Sequence, residues 1–80
     1  HAREGRHAEA AEAYRRLATM DPLHEEAVHA LMLALARDNR RSEALRAFER
    51  LAQELRREMD AEPSAELLAL ATELRTGAPV

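Results

Sequence analysis

Residues 39–51 read Asn39-Arg40-Arg41-Ser42-Glu43-Ala44-Leu45-Arg46-Ala47-Phe48-Glu49-Arg50-Leu51, and an earlier stretch of the chain echoes them. Ala10, Tyr14 and Leu17 stand 34 positions before Ala44, Phe48 and Leu51. The lead-ins align as well: Gly5-Arg6-His7-Ala8-Glu9-Ala10 against Asn39-Arg40-Arg41-Ser42-Glu43-Ala44. Each residue type at these positions has a physical task. Gly takes the left-handed backbone of a sharp turn freely, and Asn tolerates it better than most other residues. A small Ala lets two helix backbones approach. An aromatic four residues later shares its face and fills the space between neighbouring hairpins.

Thirty-four residues is the period of the tetratricopeptide repeat, a helix-turn-helix unit. Gly5, Ala10, Tyr14 and Pro22 supply its pattern once, and Asn39, Ala44 and Phe48 supply most of it again. The reading is an all-α, tetratricopeptide-like array of antiparallel hairpins with four helices. The first spans about residues 6–20, with Gly5 as the turn before it and Ala10, Ala13, Tyr14, Leu17 and Met20 as its apolar stripe. Asp21 is placed to cap the second and Pro22 to open it. That helix covers about 24–37, with Ala27, Val28, Leu31, Ala34 and Leu35 turned inward. The third covers about 41–59 through Ala44, Leu45, Phe48, Leu51, Ala52, Leu55 and Met59. Ala61-Glu62-Pro63 breaks it. Ser64 caps a fourth over about 65–76, where Leu67, Leu70, Ala71 and Leu74 form the stripe and Gly77 and Pro79 mark the end. The first helix is then the second half of a repeat whose partner helix is missing, so its apolar face calls for cover by association.

Composition narrows the function. Eighty residues make one small domain or a piece of one. The chain starts on His1 without an initiator Met, which suggests a segment of a longer protein. It has no cysteine, hence no disulfide and no thiolate metal site. No apolar run is long enough to cross a membrane, and no signal peptide pattern opens the chain, so the expected location is the cytoplasm. All twelve basic side chains apart from histidine are Arg, and acids are interleaved with them for a net charge of −3. A dedicated nucleic-acid surface would show a basic stripe. With Tyr14 and Phe48 as the aromatic residues, no platform for stacking bases exists.

One stretch invites a catalytic reading. Pro22-Leu23-His24-Glu25-Glu26-Ala27-Val28-His29 approaches the His-Glu-x-x-His signature of zinc hydrolases. The two histidines are five apart, about 140° round a helix, and cannot converge on one ion. The chain also lacks a paired nucleophile and base and a phosphate-cradling Gly-rich loop. It is read as no enzyme, with no cofactor and no metal.

Five segments together resemble a known family. These are Gly-Arg-His-Ala-Glu-Ala (5–10), Asp-Pro-Leu-His-Glu-Glu-Ala (21–27), Ala-Leu-Met-x-Ala-Leu-Ala (30–36), Ser-Glu-Ala-Leu-Arg-Ala-Phe-Glu-Arg-Leu (42–51) and Glu-Pro-Ser-Ala-Glu-Leu (62–67). They resemble the bacterial transcriptional activation domain of Streptomyces antibiotic regulatory protein type regulators, over about residues 5–76. The second and last segments are the most specific. The chain departs from the family pattern with Asn39 where Gly is common, Ala65 where a second Pro is common, and Asp60-Ala61 in place of Gly-Val. The resemblance implies a right-handed α-α superhelix forming the C-terminal part of a helical domain. It implies a winged-helix DNA-binding domain elsewhere in the parent, with the helical part mediating assembly and contact with the transcription machinery. The same helical domain also occurs beside ATPase and nucleotide cyclase modules, so a scaffold role in a signalling enzyme is the alternative.

By repeat position the inner face of the array carries Glu26, His29, Leu33 and Arg37 on the second helix. Arg37, Arg40, Arg41, Arg46 and Arg50 gather near the second turn, either as a solvated face with intervening acids or as a docking patch for an acidic protein or a phosphate. Glu26, His29, Leu33, Arg37, Arg40 and Arg41 are therefore the candidate partner-binding residues, for a protein partner or a second copy, with DNA contacted through another domain. For Leu33 alone, packing against the fourth helix is the favoured expectation.

Overall fold

Ala, Leu, Glu and Arg are strong helix formers, and they dominate four helices. In the computed structural model these are α1 (Ala2–Met20), α2 (Glu25–Arg37), α3 (Arg41–Met59) and α4 (Ala65–Thr76). The structure describes the backbone of residues 2–77 and the side chains of Arg6 and of residues 8–77. Pro79 lies outside the described residues. No strand occurs among those described, and the chain is an all-α, tetratricopeptide-like set of hairpins.

α2 is the hub. α1 and α3 both pack on it, while their own backbones do not meet; α4 packs on α3 and reaches α2. The core draws on all four helices: Ala11 from α1, Val28, Leu31, Met32, Ala34 and Leu35 from α2, Ala44, Phe48, Leu51 and Leu55 from α3, and Leu67, Ala71 and Leu74 from α4. Ala11, Ala44 and Ala71 are each 0% exposed, which shows why small residues recur there: helix backbones approach through them. Truncating a fully enclosed Leu35, Leu51 or Leu67 to Ala would cost about 2–5 kcal/mol by the usual sum of transfer and cavity terms.

The turn after α2 is formed as the repeat requires. Asn39 takes φ 61°, in the left-handed region. The Arg40 N–H reaches back to the Leu35 carbonyl (2.7 Å) and the Asn39 N–H to the Ala36 carbonyl (3.1 Å), the paired bonds of a Schellman ending. Asp60 (φ 52°) ends α3 in the same backbone region. Ser64 caps α4, its Oγ accepting from the Leu67 N–H (3.4 Å), and Gly77 (φ 70°) closes it. The Ser64 N–H donates to Glu25 Oε1 (2.9 Å), which ties the last loop to the start of α2.

Three expectations about the first 25 residues need correction. α1 starts at Ala2, so Gly5 lies inside a helix and is no turn. Gly costs about 0.8–1.0 kcal/mol in a helix, but the residues around it, Ala2, Arg3, Glu4 and Arg6, are all strong helix formers. Second, α1 is rolled on its axis. Ala11 is buried, Ala10, Tyr14 and Ala18 pack partly on the core, Ala13 is exposed, and Leu17 and Met20 stand 44% and 83% exposed. Its counterpart α3 is covered from two sides, by α2 and α4; the backbone of α1 lies close to α2 alone among the described elements. Third, the cap of α2 is His24, whose Nδ1 accepts from the Ala27 N–H (3.1 Å). Asp21 serves the turn instead, with Oδ1 accepting from the Leu23 N–H (3.3 Å) and its carbonyl from the His24 N–H (3.0 Å). Pro22 sits in that turn, not in the helix. In α3, Met59 ends the expected stripe 61% exposed, because the stripe outruns the helices that cover it.

Candidate protein-binding faces

The predicted partner-binding residues fall into two groups. Glu26, His29, Leu33 and Arg37 recur at three- and four-residue spacing and share one face of α2, opposite the face that carries Val28, Leu31 and Leu35. Glu26 and Arg37 are exposed, and His29 and Leu33 are half-buried. Leu33 stands outside the core and outside the partly buried residues packed on it. Its half-buried side chain stands one helical turn from His29 and from Arg37.

Arg40 and Arg41 go elsewhere. Arg40 grips Glu43 through Nε to Oε2 (2.6 Å) and Nη2 to Oε1 (2.9 Å), and its Nη1 reaches Asp38 Oδ2 (3.4 Å). Glu43 also accepts from Arg15 Nη2 (3.4 Å), which links α1 to α3. The Arg40 guanidinium hydrogen-bonded to Glu43 holds that carboxyl well below its usual 4.5, at about 2, with Arg15 adding to the effect. Glu43 in turn pushes Arg40 up. Arg40 is thus committed to the second turn and is a poor candidate for a partner contact. Arg41 lies against the end of α4: a Cβ built on Gly77 would sit 3.4 Å from its Nη1. A cation at a helix C-terminus suits the helix dipole. Nearby, the Arg75 guanidinium lies 5.5 Å from the centre of the Phe48 ring. The arginine cluster of the sequence is therefore dispersed by the fold into an internal clamp (Arg40), a helix-end contact (Arg41), the Leu33 face of α2 (Arg37) and the α3 wall of a groove (Arg46 and Arg50).

That groove was not legible from spacing. It runs between α1 and α3, encloses about 460 Å³, and has Val28, Leu31 and Leu35 of α2 as its floor. It arises because the two outer helices both sit on α2 without meeting. A third feature is the flank of α1, where Ala13, Leu17 and Met20 stand exposed beside Glu9 and Arg16.

His24 spends its Nδ1 on the helix cap, and no group of three metal-ligating side chains occurs among the described residues. No helix among them is long and apolar enough to cross a membrane.

No curated protein and no solved structure matches the chain significantly. The family model for the bacterial transcriptional activator domain matches residues 1–75, nearly the whole chain, and the four-helix arrangement fits it. That family is one of transcription activator domains and is not an enzyme family. The chain belongs to the bacterial transcriptional activator domain family, as a helical domain of a bacterial transcriptional regulator.

Proposed function

We propose that this chain is a protein–protein interaction and oligomerisation module, the C-terminal part of the helical domain of a cytoplasmic regulator. DNA binding is supplied by a separate domain of the parent, and the segment itself carries out no chemistry. The observation that carries the reading is Leu33, a half-buried apolar residue that shares a helix face with Glu26, His29 and Arg37. Covering the part of this side chain still open contributes less than the roughly 1.5–3 kcal/mol of a fully exposed Leu, and Glu26 and Arg37 supply selectivity. The partner of this face is the transcription machinery.

A second copy of the chain fits the flank of α1. Leu17 and Met20 are the apolar contacts and Ala13 permits close approach. Glu9 and Arg16 lie along the same edge, seven residues apart. In an antiparallel α1–α1 pairing centred between them, Glu9 of each copy falls opposite Arg16 of the other, the reciprocal geometry of a two-fold interface.

The α2 face is tested by titrating bacterial RNA polymerase with labelled wild-type chain and with Leu33→Ala/Arg37→Ala. The variant is expected to bind at least tenfold more weakly with an unchanged melting temperature. A fall in melting temperature with binding intact would mean that Leu33 belongs to the fold instead.

A further inference from the structure

The walls of the α1–α3 groove carry positive charge that the fold leaves unused. On the α3 side Glu43, Arg46, Ala47, Arg50 and Glu54 form one stripe at three- and four-residue spacing, and Arg15 of α1 reaches across to it. Both carboxylates on that wall are taken. Glu54 pairs with Arg57, and Glu43 is held by Arg40 at 2.6 and 2.9 Å. Arg46 and Arg50 are exposed, and neither has a carboxylate partner among the described residues. They stand one helical turn apart, where like charges repel. Arg15 is under-used as well. It meets Glu43 through Nη2 alone, at 3.4 Å, and its Nε is buried without a partner. Its side chain is 43% exposed and free to turn, and Arg40 still satisfies Glu43 when it does.

We infer that this groove binds a small dianion, a phosphoryl compound or a dicarboxylate, between Arg46 and Arg50 of α3 and Arg15 of α1. A guanidinium presents a planar fork of donors that matches a carboxylate or a phosphate. Side chains four residues apart on a helix leave it about 5–6 Å from one another, so both wall arginines can converge on one ligand. A volume of about 460 Å³ is within the range of small-molecule sites. The contacts come from the charged walls, since Val28, Leu31 and Leu35 are enclosed and offer the ligand no surface. Duplex DNA is disfavoured because Glu43 and Glu54 stand on the same wall and the chain carries a net charge of −3. A bound dianion ties α1 to α3, whose backbones do not otherwise meet, and so stabilises the fold. The site lies on the side of α2 opposite Leu33 and stands apart from the reading above.

The test titrates the full chain with pyrophosphate and, separately, with glutarate, both at constant ionic strength. It follows the Nε–Hε resonances of the arginines and the melting temperature. At least one of the two anions is expected to saturate the chain below about 1 mM and to raise its melting temperature; the tighter one assigns the class of ligand. Arg46→Gln/Arg50→Gln is expected to weaken that binding at least tenfold. Arg6→Gln/Arg56→Gln, which removes the same charge outside the groove, is expected to change it by less than about twofold. Both wall arginines are exposed and unpaired, so the double variant is expected to fold. Arg46→Gln and Arg50→Gln singly serve if it does not, each with at least a threefold loss expected. No saturable binding of either anion, equal weakening by the two double variants, or saturation by duplex DNA alone with a steep salt dependence would each overturn the inference.

Discussion

Glu43 is the residue whose role changes most between sequence and structure. As one acid among several arginines it reads as a solvated partner. In the fold it receives Arg40 through two hydrogen bonds and Arg15 through a third, and so couples the α2–α3 turn to α1. Its carboxyl is held at about 2 rather than 4.5 in the folded chain. A depressed carboxyl stabilises the fold above its unfolded value, and that contribution disappears as pH falls through the folded value. The urea midpoint of the wild type is thus expected to exceed that of Glu43→Gln at neutral pH, with the gap closing between about pH 4.5 and 2. A gap that persists below about pH 2 would mean that the carboxylate charge is not what Glu43 contributes. The role of His24 as a cap was not legible in the sequence, because Asp21 is the better capping residue by type. Asp21 loses the position because the turn through Pro22 delays the helix start to Glu25.

At the scale of helices, the positions and types of α2, α3 and α4 were readable from periodicity, from Ser64 and Gly77 as caps, and from Asn39 as a turn. α1 was readable as a helix but not in its start or its roll. Of the two aligned turn residues, Asn39 adopts the left-handed backbone and Gly5 continues a helix. A repeat alignment assigns both positions one conformation, yet conformation follows the neighbours each segment has to pack on. Gly5→Ala separates the two readings. In a helix the substitution stabilises by about 0.5–1 kcal/mol, raising the melting temperature by about 4–8 °C per kcal/mol for a domain of this size. A lowered melting temperature would return Gly5 to a left-handed turn, where a side chain costs about 1–2 kcal/mol. The roll of α1 follows from the same cause. Leu51 is enclosed at 1% exposure, whereas Leu17, its aligned partner, is 44% exposed. The candidate site was half legible: the shared face of Glu26, His29, Leu33 and Arg37 came from helical spacing. The dispersal of the arginines and the α1–α3 groove came only from how α1 and α3 sit on α2.

Taken whole, the molecule measures 42 × 28 × 16 Å, a thin body with few layers. Such a shape buries a modest core and leaves apolar side chains out on more than one side: Leu17 and Met20 on α1, Met59 on α3 and Leu68 on α4. A core of this size typically supplies about 3–5 kcal/mol, so association that covers Leu17 and Met20 would stabilise the fold as well as assemble it. Sedimentation equilibrium of the chain beside Leu17→Glu/Met20→Glu tests most directly whether these exposed side chains serve another macromolecule, since it requires no partner to be known. The wild type is expected to form a concentration-dependent dimer and the variant to remain monomeric while still folded. A wild type that stays monomeric up to about 1 mM would contradict the account.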